Sequence, residues 1–189
     1  MADSRCGELF TTGIGVKHLN DAVLKYVGLE SESELACDPV EQGAVRRYAQ
    51  AIMDDDAAYS APGPANAKYG GPIAPALFPT HMFRRPFGTP DDIQAHAHDP
   101  NFDGIGAAAA QGLPEIEPLK HLGLLNGGLE VELFRYARHG ERVKLKSRYL
   151  DISEKETSKG SMVIVVIETE YRNGADELLL RVRRTQLRR

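Results

Sequence analysis

The chain has 189 residues, 42% of them hydrophobic and 26% charged, with a formal net charge of −4. This is the size and make-up of one globular domain, and it excludes a wholly disordered chain. The longest apolar run, Met162 to Ile167, has the length of a strand, so no membrane span is expected. The first residues also lack the cationic-then-apolar order of a secretory signal. The expected location is the cytoplasm. Two cysteines, Cys6 and Cys37, are too few for a disulfide framework or a four-thiolate zinc site. Residues 1–120 carry 9 Lys and Arg against 17 Asp and Glu, whereas residues 121–189 carry 14 against 10. The basic cluster Arg181, Arg183, Arg184, Arg188 and Arg189 sits on an alternating strand pattern. One strand of arginines is not the dense basic face that nucleic acid requires, although it is compatible with an anionic small molecule.

Residues 1–38 read as an N-terminal helical extension. Leu19, Val23, Leu24 and Val27 recur at helical spacing and Gly28 follows as a stop. After an acidic connector, Glu30 to Glu34, a second helix is expected over residues 40–53. Asp38 is placed to cap it, Pro39 suits its first position and Glu41 completes a capping box. Val45, Tyr48, Ala49 and Ile52 form its apolar stripe. Residues 54–128 are rich in Gly, Pro, Ala, Asp and His, with one helix expected to begin near Pro75 and a long irregular insertion at about 83–120.

From residue 129 onward the pattern is strand after strand: LEVELFRY, RVKLKSRYLDI, SMVIVVIETEYR and ELLLRVRRTQLR. Gly140, Gly160 and Asn173-Gly174 between them have the chemistry of tight turns. Consecutive strands joined this tightly are expected to pair as an antiparallel meander, giving an α+β domain over residues 39–189. In the third strand Val163, Val165 and Ile167 alternate with Ile164 and Val166, so both faces are apolar. That strand should be central, with a helix over one face and a second subunit over the other.

Three carboxylates, Asp54, Asp55 and Asp56, follow the second helix directly. Each opposes the helix macrodipole and repels its neighbours, which makes them candidates for acid/base work rather than stability. The order that follows is an acidic turn, a small-residue loop, Tyr69-Gly70-Gly71 and Pro72-Ile73-Ala74-Pro75. With the C-terminal LNGGLEVELFRYARHGERV and SMVIVVIETEYRNGADELL patterns, it resembles the MaoC-like, or R-specific enoyl-CoA hydratase, family. The nearer resemblance is to the branch called the N-terminal half of MaoC dehydratase, or FAS1-like dehydratase. The resemblance implies a hot-dog fold, an antiparallel sheet wrapped around a long central helix starting near Pro75. It also implies reversible hydration of an enoyl-CoA thioester, with no cofactor beyond the coenzyme A of the substrate, and no metal.

Hydration needs paired acid/base groups and amides for a developing enolate. In active members, the resemblance implies, an Asp is followed five positions later by a His, and a His-Gly pair leads into the central helix. Here Asp54 holds the Asp position, but Tyr59 stands where the His belongs, and Pro75-Ala76 replaces His-Gly. A phenol, with a reference pKa of about 10, is a poor substitute for imidazole near neutrality. The expectation is therefore a degenerate subunit of a hetero-oligomeric hydratase whose complete Asp/His pair lies on a MaoC-like partner chain. Two alternatives are a self-sufficient hydratase using Asp54 with Tyr59 or His81, and an acyl-CoA-binding module without catalysis. His81, Arg84 and Arg85 join Pro75 and Ala76 as candidate substrate contacts. His96, His98, Asp99 and Asp103 have metal-ligand chemistry but match no standard spacing, and a substrate-lining loop or a surface turn is expected there.

Overall fold

The computed structural model describes residues 17–83, 88–89, 92–101, 112–158 and 160–189. Its frame is an antiparallel sheet of β1 (Glu34–Leu35), β2 (Leu124–Leu133), β3 (Val143–Thr157), β4 (Gly160–Asn173) and β5 (Leu178–Arg188), in the order β1-β3-β4-β5-β2. β4 occupies the centre, as its doubly apolar sequence predicts. Val163, Val165, Ile167, Thr169 and Tyr171 are buried on one face, while Ile164 and Val166 on the other are half-buried.

The expected meander holds for β3, β4 and β5 but not for β2, which pairs with β5 at the far side of the sheet. The stretch between β2 and β3 has another commitment. Ala74 donates its amide to Ala137 at 2.8 Å, His139 donates to Pro72 at 3.0 Å, and Gly140 and Val40 are joined at 2.9 Å. Glu141 folds this stretch on itself by accepting from Arg135 at 2.6 Å and from the Arg138 amide at 2.9 Å. A segment that serves as a ladder for two others cannot also be a tight hairpin.

The β4–β5 turn differs from expectation too. The left-handed residue is Asp176, at φ 67°, and not Gly174. The Asn173 side chain organises the turn by accepting from the amides of Ala175 and Glu177 at 3.0 and 2.9 Å.

The N-terminal helix α1 (Asp21–Leu24) is shorter than its apolar pattern suggests. Gly28, at φ 83°, turns the chain so that residues 28–36 run along β3. Gly28 donates to Tyr149 and Ser31 to Ser147, both at 2.8 Å. The acidic connector therefore contains an edge strand, β1. Helix α2 (Gln42–Ala51) starts later than expected, with Glu41 as N-cap and no side-chain cap from Asp38. The reason is the extended pairing of Val40, whose amide is held by Glu141 at 2.9 Å. Of the expected stripe, Val45 and Ala49 are buried, Tyr48 is half-buried, and Ile52 is exposed.

The long central helix expected near Pro75 is absent among the described residues. Pro75 to Phe83 forms turns and one 3-10 helix, Phe78–His81. Pro79 lacks the amide that an α-helix would use there. Helix α3 (Asp92–Ala95) is a single turn.

Two apolar clusters cover the inner face. Val40, Val45, Ala74, Phe78, Val143, Leu145, Tyr171 and Leu180 meet at one end. Val23, Tyr26, Leu119, Tyr149, Ile152, Val163 and Val165 meet at the other. Buried Ser147 and Thr169 hydroxyls lie 2.9 Å apart on neighbouring inner-face positions of β3 and β4. The outer face carries a cross-strand ion network. Glu168, 3% exposed, accepts from Arg148 at 2.7 Å and Arg183 at 2.8 Å, and Arg181 bridges Glu170 and Glu132, both at 2.9 Å. Two of the arginines that suggested an anion contact are thus engaged within the sheet.

Candidate active site

The end of α2 creates the site. The Met53 amide donates to Gln50 at 3.3 Å and the Asp54 amide to Ala49 at 2.9 Å, with Met53 left-handed at φ 57°. This is the bond pattern of a Schellman stop, in which glycine usually takes the left-handed place. A methionine there, 91% exposed, is held in a disfavoured conformation without packing to offset it.

The three carboxylates separate at this turn. Asp55 is exposed and makes no hydrogen bond among the described residues, whereas Asp56 caps the 3-10 helix Ala57–Tyr59 by accepting from the Ala58 amide at 2.8 Å. Asp54 Oδ2 accepts from Tyr59 Oη at 2.8 Å, and its Oδ1 accepts from the Asp56 amide at 3.3 Å. The spacing of five residues therefore does bring the two predicted site residues into contact. Burial, and then the hydrogen bond to the Asp54 carboxylate, push the Tyr59 phenol far above its ordinary range, so it stays protonated at neutral pH. Its single proton is committed to Asp54.

The loop beyond is pinned by Asn66, 1% exposed, which accepts from the Gly63 amide and donates to Ala61 at 3.1 Å each. Ile73 closes the loop by donating to Ala58 at 3.1 Å.

A cavity of about 780 Å³ opens beside the pair, lined by Gln42, Gly43, Arg46, Gln50, Asp54, Tyr59 and neighbouring residues. Among the described residues, none that lines it is a histidine. Pro75 is buried and Ala76 half-buried, and neither lines this cavity. His81 belongs to a separate cavity of about 460 Å³ with Phe78 and Met82, its ring 4.8 Å from that of Tyr48. His81 is exposed at the end of the short 3-10 helix rather than carried on a long one. Arg84 and Arg85 lie outside the described residues, as does Asp103. His96, His98 and Asp99 are exposed after α3.

Arg46 was not anticipated from sequence, because it sits on the polar side of α2, where a solvated face is the ordinary reading. It brings a cation to the same cavity and donates to Gln50 at 3.3 Å. The arrangement offers a carboxylate fixed by a neutral phenol, a nearby guanidinium, and room for a small acyl group. It can bind and orient a polar substrate or water, but Tyr59 has no free proton to shuttle.

The family model for the FAS1-like, dehydratase domain region matches residues 25–182. The chain belongs to this dehydratase family. No curated protein matches it. Among solved structures, it is similar to the ChsH1-ChsH2 complex from Mycobacterium tuberculosis, at 22% identity and TM-score 0.66 over 88% of each chain. It is also similar to a MaoC-like dehydratase from Rhodospirillum rubrum, at 17% identity and TM-score 0.51, covering 86% of this chain and 93% of that one. A third is the C-terminally truncated HadBC (3R-hydroxyacyl-ACP dehydratase) complex from Mycobacterium tuberculosis, at 15% identity and TM-score 0.53, covering 86% and 96%. These likenesses establish the hot-dog fold of the MaoC-like dehydratases. In this member the inner face is covered by α2, the Pro72–His81 segment and residues 19–26 and 113–122. Among the described residues no helix is long and apolar enough to cross a membrane.

Proposed function

We propose that this chain is the substrate-binding subunit of a hetero-oligomeric enoyl-CoA hydratase, or 3-hydroxyacyl-CoA dehydratase. A MaoC-like partner subunit would supply the complete Asp/His pair. The observation that carries the reading is the 2.8 Å bond from Tyr59 Oη to Asp54 Oδ2, in a cavity lined by no imidazole among the described residues. Moving the α-proton and the β-hydroxyl requires two groups that exchange protons near neutrality. A phenol held well above its ordinary pKa and hydrogen-bonded to Asp54 removes one of them. The cavity volume falls within the range of small-ligand sites, roughly 300–1,000 Å³, which supports retained binding. Two of the similar structures, ChsH1-ChsH2 and HadBC, are complexes, which supports a partner for this chain as well.

Reconstitution tests the reading. The purified chain is mixed with a MaoC-like chain that has an Asp and a His five residues apart, and hydration of crotonyl-CoA is followed. Co-elution on size exclusion, with turnover that depends on the partner's His, is the expected result. Equal turnover by each chain separately, with no co-elution, would overturn it.

A further inference from the structure

The outer-face ion network accounts for Arg181 and Arg183 in the C-terminal basic cluster. Arg184 lies on the opposite, inner face of β5, in register with Leu129 of β2 and Ile167 of β4. It is half-buried, and its side chain makes no ion pair or hydrogen bond among the described residues. A guanidinium partly withdrawn from water with no counter-charge bears a desolvation cost that nothing offsets. Arg188 follows on the same face, and its Nε is buried without a partner among the described residues. A buried donor of this kind calls for an explanation, and an acceptor supplied from outside the chain is one.

Arg184 lines a cavity of about 380 Å³ with Leu124, Leu125, Asn126, Leu129 and Gln186. It shares no lining residue with the cavity at Asp54 and Tyr59, and no carboxylate lines it among the described residues. A bulge in β2 shapes its wall. Asn126 and Leu129 are three residues apart, a spacing that sends side chains to opposite faces of a regular strand. Here the ladder skips Gly127, setting Asn126 against Gln186 and Leu129 against Arg184, so both face inward. Only glycine fits the bulge, since a Cβ at Gly127 would come within 2.9 Å of the Leu187 and Thr185 side chains. Asn126 Oδ1 accepts from the Gly128 amide at 3.2 Å, which leaves its Nδ2 as a second donor in the cavity. Leu125 and Leu129 are 45% and 53% exposed there.

We propose that this cavity binds a carboxylate carried on an apolar chain, a ligand of the fatty-acid class, with the chain along Leu124, Leu125 and Leu129 and the carboxylate on Arg184 and Asn126. A guanidinium presents a fork of donors that matches a carboxylate, and such charge-assisted bonds are the strong ones. A bare anion would leave the leucines in water, and a neutral chain would leave the guanidinium without a counter-charge. An amphiphilic carboxylate meets both needs. Arg188 makes the same end of the face more positive without lining the cavity. The site is separate from the Asp54–Tyr59 pair and does not rest on the proposed hydratase role.

Isothermal titration calorimetry on the full chain tests it, with octanoate as the probe and 1-octanol and sulfate as controls. Octanoate should bind the wild type at least about tenfold more tightly than either control. Arg184→Gln should remove that advantage over 1-octanol. Leu129→Trp, which fills the cavity from an exposed position that folding does not depend on, should weaken octanoate by a similar factor. A preference for suberyl-CoA over octanoyl-CoA that Arg184→Gln removes would place the carboxylate at the end of an acyl chain, and no preference would leave it on the free acid. Octanoate binding that survives both substitutions would overturn the proposal, as would its absence at millimolar concentration. Equal binding of 1-octanol would reduce the cavity to an apolar groove, and equal binding of sulfate would reduce it to a bare anion contact; either result overturns the proposal.

Discussion

β4 and β2 lie in one sheet and carry similar side chains, yet they occupy opposite environments. In β4, Val163, Val165 and Ile167 are at most 2% exposed on the inner face, and the outer face is roofed by Arg148 and Arg183 over Glu168. In β2, Leu129, Val131 and Leu133 have no cover among the described residues, and Glu130 is nearly free. Alternation of apolar residues marks a face to be buried but does not say by what. For β4 the cover comes from the same chain, and for β2 none lies among the described residues.

The contrast is broken most directly by truncating matched positions. Ile167→Ala should cost about 2–5 kcal/mol of unfolding free energy, because it opens a cavity in a packed strand. Val131→Ala should change the isolated chain by no more than about 0.5 kcal/mol. Urea titrations of both variants measure the difference, and equal losses would mean that β2 is covered after all.

The glutamates extend the comparison. Glu168→Gln should cost about 1–3 kcal/mol at neutral pH, since it weakens charge-assisted bonds from two arginines. Glu130→Gln should be close to silent. Burial by itself would raise the pKa of Glu168, but hydrogen bonds from Arg183 and Arg148 outweigh it and hold the group below its ordinary value of 4.5. A carboxyl with a depressed folded-state pKa contributes stability above its unfolded value and loses that contribution as pH falls through the folded one. Wild-type stability should therefore decline below about pH 4.5, with a smaller decline in Glu168→Gln, as read from chemical denaturation at stepped pH.

The α2 stop shares features of both regions, having a satisfied carboxylate beside an exposed strained residue. Tyr59→Phe should cost about 0.5–1.5 kcal/mol by removing the bond to Asp54. Tyr59→His should introduce hydration of crotonyl-CoA above background, which Tyr59→Phe should not. The smallest effect expected is a gain: Met53→Gly should stabilise by about 0.5–1 kcal/mol, visible as a raised thermal midpoint, because glycine adopts the left-handed stop without strain.

Much of this arrangement could be read from the residues. The central place of β4 follows from its two apolar faces, and the contact of Asp54 with Tyr59 follows from their spacing and the resemblance. What could not be read depends on pairing between distant segments. Nothing local in HGE shows that Gly140 answers Val40 and that His139 answers Pro72, so β2 looked like the neighbour of β3. Pro79 was a visible warning against a long helix after Pro75. Met53 gave no warning, since an ordinary side chain at a left-handed position has no sequence signature. The distinct tasks of Asp54, Asp55 and Asp56 were also hidden, because identical residues in a row differ only in where the turn points them.

The most direct test of the central claim is the turnover of crotonyl-CoA by the highly purified wild-type chain with no partner, compared with its Asp54→Asn variant across neutral pH. The account predicts that neither rises above the uncatalysed rate. Sustained turnover by the wild type that disappears in Asp54→Asn would contradict it, because the Asp54–Tyr59 pair would then be sufficient for the chemistry.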